Sequence, residues 1–554
     1  MFEDLNYEEL RRRANERLSG RVVARLEARG ARRSVAAGEA IYRTDDRPYP
    51  LVHAISATLQ IKDPDGLVLG VMEPGQSTGE LALLFGQTAV ADCVAQTAGE
   101  VLIVPAHVVA ELIQVDPEVS DALLPILAAR RLLLMQRQQG TLTLAGAQSS
   151  PVIQRLLEFA ERNRIPYRWL DPADPQQREQ ILARGLDADA AQAVVRGRHV
   201  LQEPAVVEVA RALGLELAGD HSEPVDLIIA GAGPAGFSAA VYGASEGLST
   251  ILFDDVAIGG QAGASSRIEN FLGFPTGVSG ADLAFRAELQ AIKFGARLAL
   301  PRQACGLQRS ARPGYYEVTL DDGTTLLGRS VVVATGARYR KLGVADEARF
   351  QGLGVYYAAT ELEARACKGK EVVVVGGGNS AGQAAMFLAA RASCVRLVYR
   401  GRDLASSMSQ YLIGRLRHAA NVRIETGSAV TELLGEEHLR AVSIRDADGA
   451  VAERAVCGLF IMIGADPCTG WVKGVLRLDD RGFILTGEDC GADAATPFNL
   501  FQTNLPGVFA VGDVRSGSVK RVASAVGEGS VVVQAIHARL AALRQAETRG
   551  PVTI

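Results

Sequence analysis

Apolar residues change their spacing twice along the chain, and each change marks where one kind of fold gives way to another. Up to about residue 145, short apolar runs such as Leu51 to Lys62 and Leu67 to Met72 alternate with Gly and Asp turns. They lie between an Arg-rich amphipathic helix and a long apolar-periodic stretch from Ser120 to Met135. This pattern predicts a small barrel or sandwich. From about 146 to 222 helix and strand alternate: Pro151 to Asn163 reads as helix, IPYRWLD as strand and EPAVVEVARALGL as a closing helix. A small α/β unit is expected there. From Asp226 onward, apolar strands run into Gly-rich turns and helices twice, as DLIIAGAGPAGFSAA and EVVVVGGGNSAGQAA. Two dinucleotide folds are implied.

The 554 residues, at ~150 per domain, suggest roughly three or four domains. With 58 Lys+Arg against 63 Asp+Glu the formal charge is −5, so nucleic acid is not an expected partner. The charged start MFEDLNYEELRRR and the lack of any uninterrupted apolar run near ~18 residues predict a cytoplasmic protein with no membrane span. Cys93, Cys305, Cys367, Cys394, Cys457, Cys468 and Cys490 form no CxxC pair, which argues against a zinc ribbon and against a local dithiol; no metal is expected.

The chemistry sits in the two turns. In Gly231-Ala232-Gly233-Pro234-Ala235-Gly236 the first glycine makes the tight turn, the second admits a pyrophosphate and the third lets the helix pack on the strand. Asp254 ends the second strand, where a carboxylate holds ribose hydroxyls. The second turn, Gly376-Gly377-Gly378-Asn379-Ser380-Ala381, carries Ala381 at the third glycine position. Its second strand ends VRLVYRGR, placing Arg400 and Arg402 where a cation accommodates the NADP 2′-phosphate. NADPH is therefore expected, with NADH as the alternative.

Residues 226 to 545 resemble a low-molecular-weight thioredoxin reductase through GAGPAG, GGQ (259–261), IEN (268–270), ATGA (334–337), GGGNSA and LPGVFAVGDV (505–514). The resemblance implies a multidomain α/β architecture of two Rossmann-like domains. An FAD domain split into 223–341 and 466–554 would enclose an NAD(P)H domain at 342–465, with a homodimer as the usual state. It further implies that FAD is held by Gly231, Gly233, Pro234, Ala235, Gly236, Asp254, Gly260, Gln261, Asn270, Thr335, Gly336, Gly512 and Asp513, with Arg521 and Val522 near the flavin ring. NADPH would be held by Gly376, Gly378, Asn379, Ser380, Arg400 and Arg402.

The pattern breaks at the working disulfide, whose two positions hold Ala358 and Glu361. Cys367 is nearby, but one thiol cannot supply a resolving partner. Hydride transfer to flavin needs only apposed, oriented rings, so no side chain is nominated as nucleophile. The electrons would pass to an unidentified redox acceptor, protein or small molecule: an iron-sulfur or flavin carrier, a quinone, oxygen or a partner's disulfide. Ferredoxin-NADP reductases of this type often carry a C-terminal aromatic residue, and the tail LAALRQAETRGPVTI has none. The segments ATGARYRKL and IGADPCTG would act as hinges for a domain rotation. The rival reading is a nonenzymatic redox or nucleotide sensor.

The N-terminal modules carry resemblances of their own. The segment 146–222 is similar to a glutaredoxin or thioredoxin-like domain whose CPYC position holds Ser150-Pro151-Val152-Ile153, which implies a docking or spacer role. Residues 1–145 resemble a cyclic-nucleotide-binding domain, a β-barrel with the cassette EPGQSTGELALLFGQTAVADCVAQT. Gly79 and Glu80 are in place, but Ala89 occupies the position of the phosphate-gripping arginine. Losing a charged hydrogen bond of about 1.5–3 kcal/mol weakens cyclic-nucleotide binding by roughly one to two decades. Dimerisation, or sensing something else, is the preferred role.

Overall fold

The structure is a computed structural model that describes residues 6–44, 46, 49–63, 66–79, 89, 91–137, 142–215, 223–255, 257–263, 265, 268, 271–357, 359, 364, 366–436, 438–491 and 500–549. It divides into two compact units. The first comprises Met1–Ala264, Ala281–Gly336 and Thr469–Ile554; the second comprises Ser265–Gly280 and Ala337–Cys468.

In the first unit, eight short strands between Ala31 and Val104 pair into two four-stranded antiparallel sheets. The expected barrel is thus two sheets, with no ladder closing them into a ring among the described residues. The reason lies inside the run Leu51 to Lys62. A turn at Ser56 divides it into Leu51–Ala54 and Leu59–Lys62, which join different sheets, as strands do when they change sheets at a corner. The long helix α1 (Pro117–Gln136) follows, with Asp116 capping its first turn by accepting from Glu118 N at 3.0 Å.

The second module runs β1 (Leu142–Ala145), α2 (Pro151–Arg162), β2 (Tyr167–Leu170), helix Pro175–Ala183, β3 (Gln192–Val195), β4 (His199–Gln202) and helix Val206–Ala212. Its sheet has the order β2-β1-β3-β4, with β1 and β2 parallel and the other neighbours antiparallel. The central strand β1 precedes residue 146, the expected boundary. A strand of four residues is too short for periodicity to separate.

The chain then forms β5 (Val225–Ala230), α3 (Pro234–Ser245), β6 (Thr250–Phe253), α4 (Gly280–Lys293) and β7 (Thr325–Val333). The second unit supplies β8 (Glu371–Val375), α5 (Asn379–Ala389), β9 (Cys394–Tyr399), β10 (Val422–Thr426) and β11 (Gly458–Ile461); the return to the first unit supplies β12 (Val508–Ala510) and α6 (Val522–Arg549). In the first unit Arg297–Ala299, β6, β5, β7 and β12 are parallel in that order. In the second, Val355–Tyr356, β11, β8, β9 and β10 are parallel. Leu227, Ile228, Ile229 and Ala230 of β5 are all fully buried, as expected of a parallel strand covered on both faces.

The two segments where the chain enters and leaves the second unit, Ala337–Tyr339 and Ala465–Pro467, pair antiparallel inside it. The second unit accordingly includes both segments, from Ala337 to Cys468. Among the described residues no helix is long and apolar enough to cross a membrane.

Candidate functional site

The first glycine turn is built by exclusion. Gly231 has φ +112°, and a Cβ there would stand 2.3 Å from Ala334 O; a Cβ on Gly236 would stand 1.7 Å from Gly231 O. Only glycine fits at these two positions. Gly233 is the N-cap of α3, with extended backbone and no side-chain cap, and Pro234 occupies the first helical turn. The leading N–H groups of α3 are thereby left for an anion. Asp254 accepts from Ala232 N at 2.7 Å and from Ala257 N at 3.2 Å. It braces the turn.

Other segments close around the turn. The backbone of Ala334 and Thr335, leading into Gly336, abuts Gly231. Gly259 N donates to Ala232 O at 2.8 Å, and Gly260 Cα comes within 4.0 Å of the Cβ position of Gly233, with Gln261 exposed beside it. A Cβ on Gly512 would meet Ala235 Cβ at 2.9 Å, and Asp513 follows directly. Arg521 is exposed and precedes Val522, the first residue of α6. Asn270 lies outside the described residues.

The electrostatics of this end are organised by residues that no local motif announces. Glu528 accepts from Gly512 N at 2.6 Å and pairs with Arg515 at 2.6 Å. Lys520 Nζ donates to Asp513 O at 2.6 Å and to Ser518 Oγ at 3.0 Å. Burial, with Glu528 adding to it, holds the Asp513 carboxyl above its usual range against the pull of Lys520. Burial likewise draws the Lys520 ammonium down. Two helix N-termini and a backbone-lined cradle free of side chains at 231, 233, 236, 260 and 512 fit a dinucleotide such as FAD.

The second turn uses the same frame with different contacts. Gly378 is the N-cap of α5, again with no side-chain cap. The register sets Val398 beside Val375 as it sets Phe253 beside Ala230, so Tyr399, rather than Arg400, occupies the place of Asp254. The Tyr399 ring covers the turn, and a Cβ on Gly377 would fall 2.3 Å from it. Arg400 and Arg402 are exposed just beyond and form no ion pair among the described residues. Asn379 Oδ1 accepts from Ser409 N at 2.8 Å, so that oxygen ties two loops together, while Ser380 is exposed. Ala381 is fully buried at the third glycine position.

Positions 358 and 361 lie outside the described residues. None of the seven cysteines is in a disulfide. Cys367 is buried and Cys457 Sγ is 3.4 Å from Ala366 O. Both precede the N-terminal ends of β8 and β11, whereas nucleotides bind at the C-terminal ends of parallel strands. In the first module a cavity of about 460 Å³ is lined by apolar residues such as Tyr42, Tyr49 and Met72 together with Arg11, Glu73, Arg130 and Arg137, with Gly79 among its borders. Ala89 is buried and Glu80 lies outside the described residues.

Residues 225–529 match the family described as pyridine nucleotide-disulphide oxidoreductase, and residues 32–116 match the cyclic nucleotide-binding domain. A thioredoxin reductase of Streptomyces clavuligerus is 35% identical over 328 residues, 59% of this chain and 97% of that protein. A thioredoxin reductase of Streptomyces coelicolor is 33% identical over 334 residues, 60% of this chain and 98% of that protein. Among solved structures, thioredoxin reductase from Streptococcus pyogenes MGAS5005 aligns with TM-score 0.52 at 31% identity, over 58% of this chain and 99% of that one. Thioredoxin reductase from Giardia duodenalis aligns with TM-score 0.52 at 30% identity, over 58% and 100%.

Proposed function

Because the chain belongs to the pyridine nucleotide-disulphide oxidoreductase family, we propose that it takes hydride from NADPH and passes the electrons to an acceptor outside the chain, with no internal dithiol between. It is an FAD-dependent NAD(P)H oxidoreductase of thioredoxin-reductase type; the missing relay is what distinguishes it. The observation that carries the proposal is chemical. Ala358 and Glu361 hold no sulfur, and disulfide exchange requires a thiolate attacking a sulfur.

Bound FAD supplies the hydride acceptor and the onward electron donor. The chain's own residues bind and orient it. The N-terminus of α3, with Gly231, Gly233, Pro234, Ala235 and Gly236, takes the pyrophosphate; Asp254 takes the ribose; Gly260, Gln261, Thr335 and Gly336 enclose the flavin portion. Gly512 and Asp513 meet the ribitol and phosphate, and Arg521 and Val522 bring the start of α6 toward the ring. In the second unit Gly376, Gly378, Asn379 and Ser380 receive the NADPH pyrophosphate, and Arg400 and Arg402 its 2′-phosphate. We read the working form as a cytoplasmic homodimer, which light scattering tests.

Anaerobic NADPH should bleach the flavin band of the loaded protein rapidly, while a standard thioredoxin should not be reduced. Thioredoxin turnover at an ordinary enzyme rate would overturn the missing relay. Slow or absent bleaching would favour the sensor reading, to which the cavity of the first module lends support.

A further inference from the structure

The second module lacks the chemistry its resemblance implies, yet one short turn ties it to both of its neighbours. That turn is Arg162-Asn163-Arg164 at the end of α2, with Arg164 at φ +49°. Arg162 Nη2 donates to Gly260 O at 2.9 Å, and Gly260 belongs to the loop that rests on the first glycine turn and carries Gln261. From the first module, Arg131 on α1 donates Nε to Arg164 O at 2.6 Å and Nη2 to Asn163 O. The Arg164 guanidinium lies 4.5 Å over the Phe285 ring and 3.9 Å from Asp282, both on α4. Arg131 also stands 3.8 Å from Glu288 of α4.

Arg131, Arg164, Asp282 and Glu288 are each more than nine-tenths buried. Charged groups are seldom buried so completely unless geometry and hydrogen bonds fix them. The apolar surroundings are shared in the same way: Phe285 and Leu289 of α4 lie in one core with Leu26, Leu102 and Leu123 of the first module. Arg130, adjacent to Arg131, borders the cavity of the first module. Successive residues of one helix therefore face a cavity and a junction whose far side is the flavin loop.

We propose that Arg162 is a positioning residue for the flavin. It fixes the Gly260 carbonyl, and with it the loop bearing Gln261, against the glycine turn, and Arg131 acts on it through the carbonyls of Asn163 and Arg164. The module without cysteines is then the part that joins the first module to the flavin site. This rests on the FAD reading above.

The full chain, stripped of FAD and titrated with free FAD, tests it. Arg162→Ala should weaken FAD about tenfold, the size of one charged hydrogen bond, and should alter the visible circular dichroism of the bound flavin. Arg162→Lys, which keeps a single cationic donor, should recover part of both. Glu158→Ala removes an exposed partner of Arg162 at 3.4 Å and should change neither. Arg131→Gln should shift the same readouts in the same direction, and with Arg162→Ala should cost less than the sum.

Wild-type affinity and spectrum in Arg162→Ala would overturn the proposal. So would equal loss in the Ala and Lys variants together with a lower apo melting temperature, which would make Arg162 scaffold only. If Arg162→Ala does not fold, Arg162→Lys is compared with wild type: weaker FAD and a shifted flavin spectrum support the role, and identity overturns it. A wild type that takes up no FAD would instead overturn the FAD reading itself.

Discussion

The turns at Gly231–Gly236 and Gly376–Ala381 share a strand, a tight bend and an uncapped helix N-terminus, but they differ at two paired positions. In the first, Ala232 N donates to the Asp254 carboxylate; in the second, Gly377 lies under the Tyr399 ring. At the sixth position the first turn has room for hydrogen only, since a Cβ would reach 1.7 Å from Gly231 O. The second turn accepts the methyl of Ala381 beside Gly376. Residue choice in such a turn follows the local approach of backbone to helix, and each turn relaxes one position only where its neighbour makes room. The second turn also has the exposed cations Arg400 and Arg402 just beyond its second strand, where the first has the carboxylates Asp254 and Asp255.

The comparison breaks most visibly at the sixth position. Gly236→Ala should cost about 3 kcal/mol or more and abolish FAD uptake, read by flavin content and melting temperature. Ala381→Gly should cost only about 1 kcal/mol and keep NADPH binding. Equal effects would show that the two turns are constrained alike.

Next in size is the pair Arg400→Ala with Arg402→Ala. The KM for NADPH should rise by roughly one to two decades, the equivalent of one charged hydrogen bond, while that for NADH stays unchanged. A parallel rise for both nucleotides would remove the cations from the selection of phosphate.

Gly377→Ala should lower stability by about 1 kcal/mol, because the partly exposed Tyr399 ring can swing aside. Adding Tyr399→Ala should restore the loss, and a double-mutant cycle without coupling would mean that the ring is not the obstacle. Smallest is Asp513→Asn. The folded carboxyl titrates above its unfolded value, so between those two values the folded chain holds the extra proton and loses stability as pH rises. The apo variant should therefore gain on wild type as pH climbs through that window and show no gain below it, as urea unfolding at several pH values would reveal.

Much of the fold was legible because the relevant signals are local. The apolar runs DLIIA and EVVVV, the glycines after them and the helical spacing beyond specify strand, turn and helix within about fifteen residues, and both turns lie where the spacing put them. The break of Leu51 to Lys62 into strands of two sheets was not legible, since it depends on which distant strands accept each half. Strand β1 escaped notice for want of length. The place beside Gly377 fell to Tyr399 rather than Arg400 because register between β8 and β9, not chain spacing, decides it.

Glu528 and Arg162 had no sequence signal at all. Glu528 reaches Gly512 from the second turn of α6, which begins only after Arg515, and Arg162 reaches Gly260 across 98 residues of chain. An arginine at the end of an amphipathic helix reads as a solvated charge until a partner carbonyl is placed beside it.

The sequence by itself determined the chemistry available: where the glycine-rich turns lie, which strand end bears cations, and that positions 358 and 361 carry no sulfur. Such properties belong to residue types and short spacings, which the chain states directly. Only the tertiary structure decided how the modules are joined, through Arg131, Arg162, Arg164 and the carbonyls they share, because buried polar contacts between distant segments exist only once the backbone has been brought together.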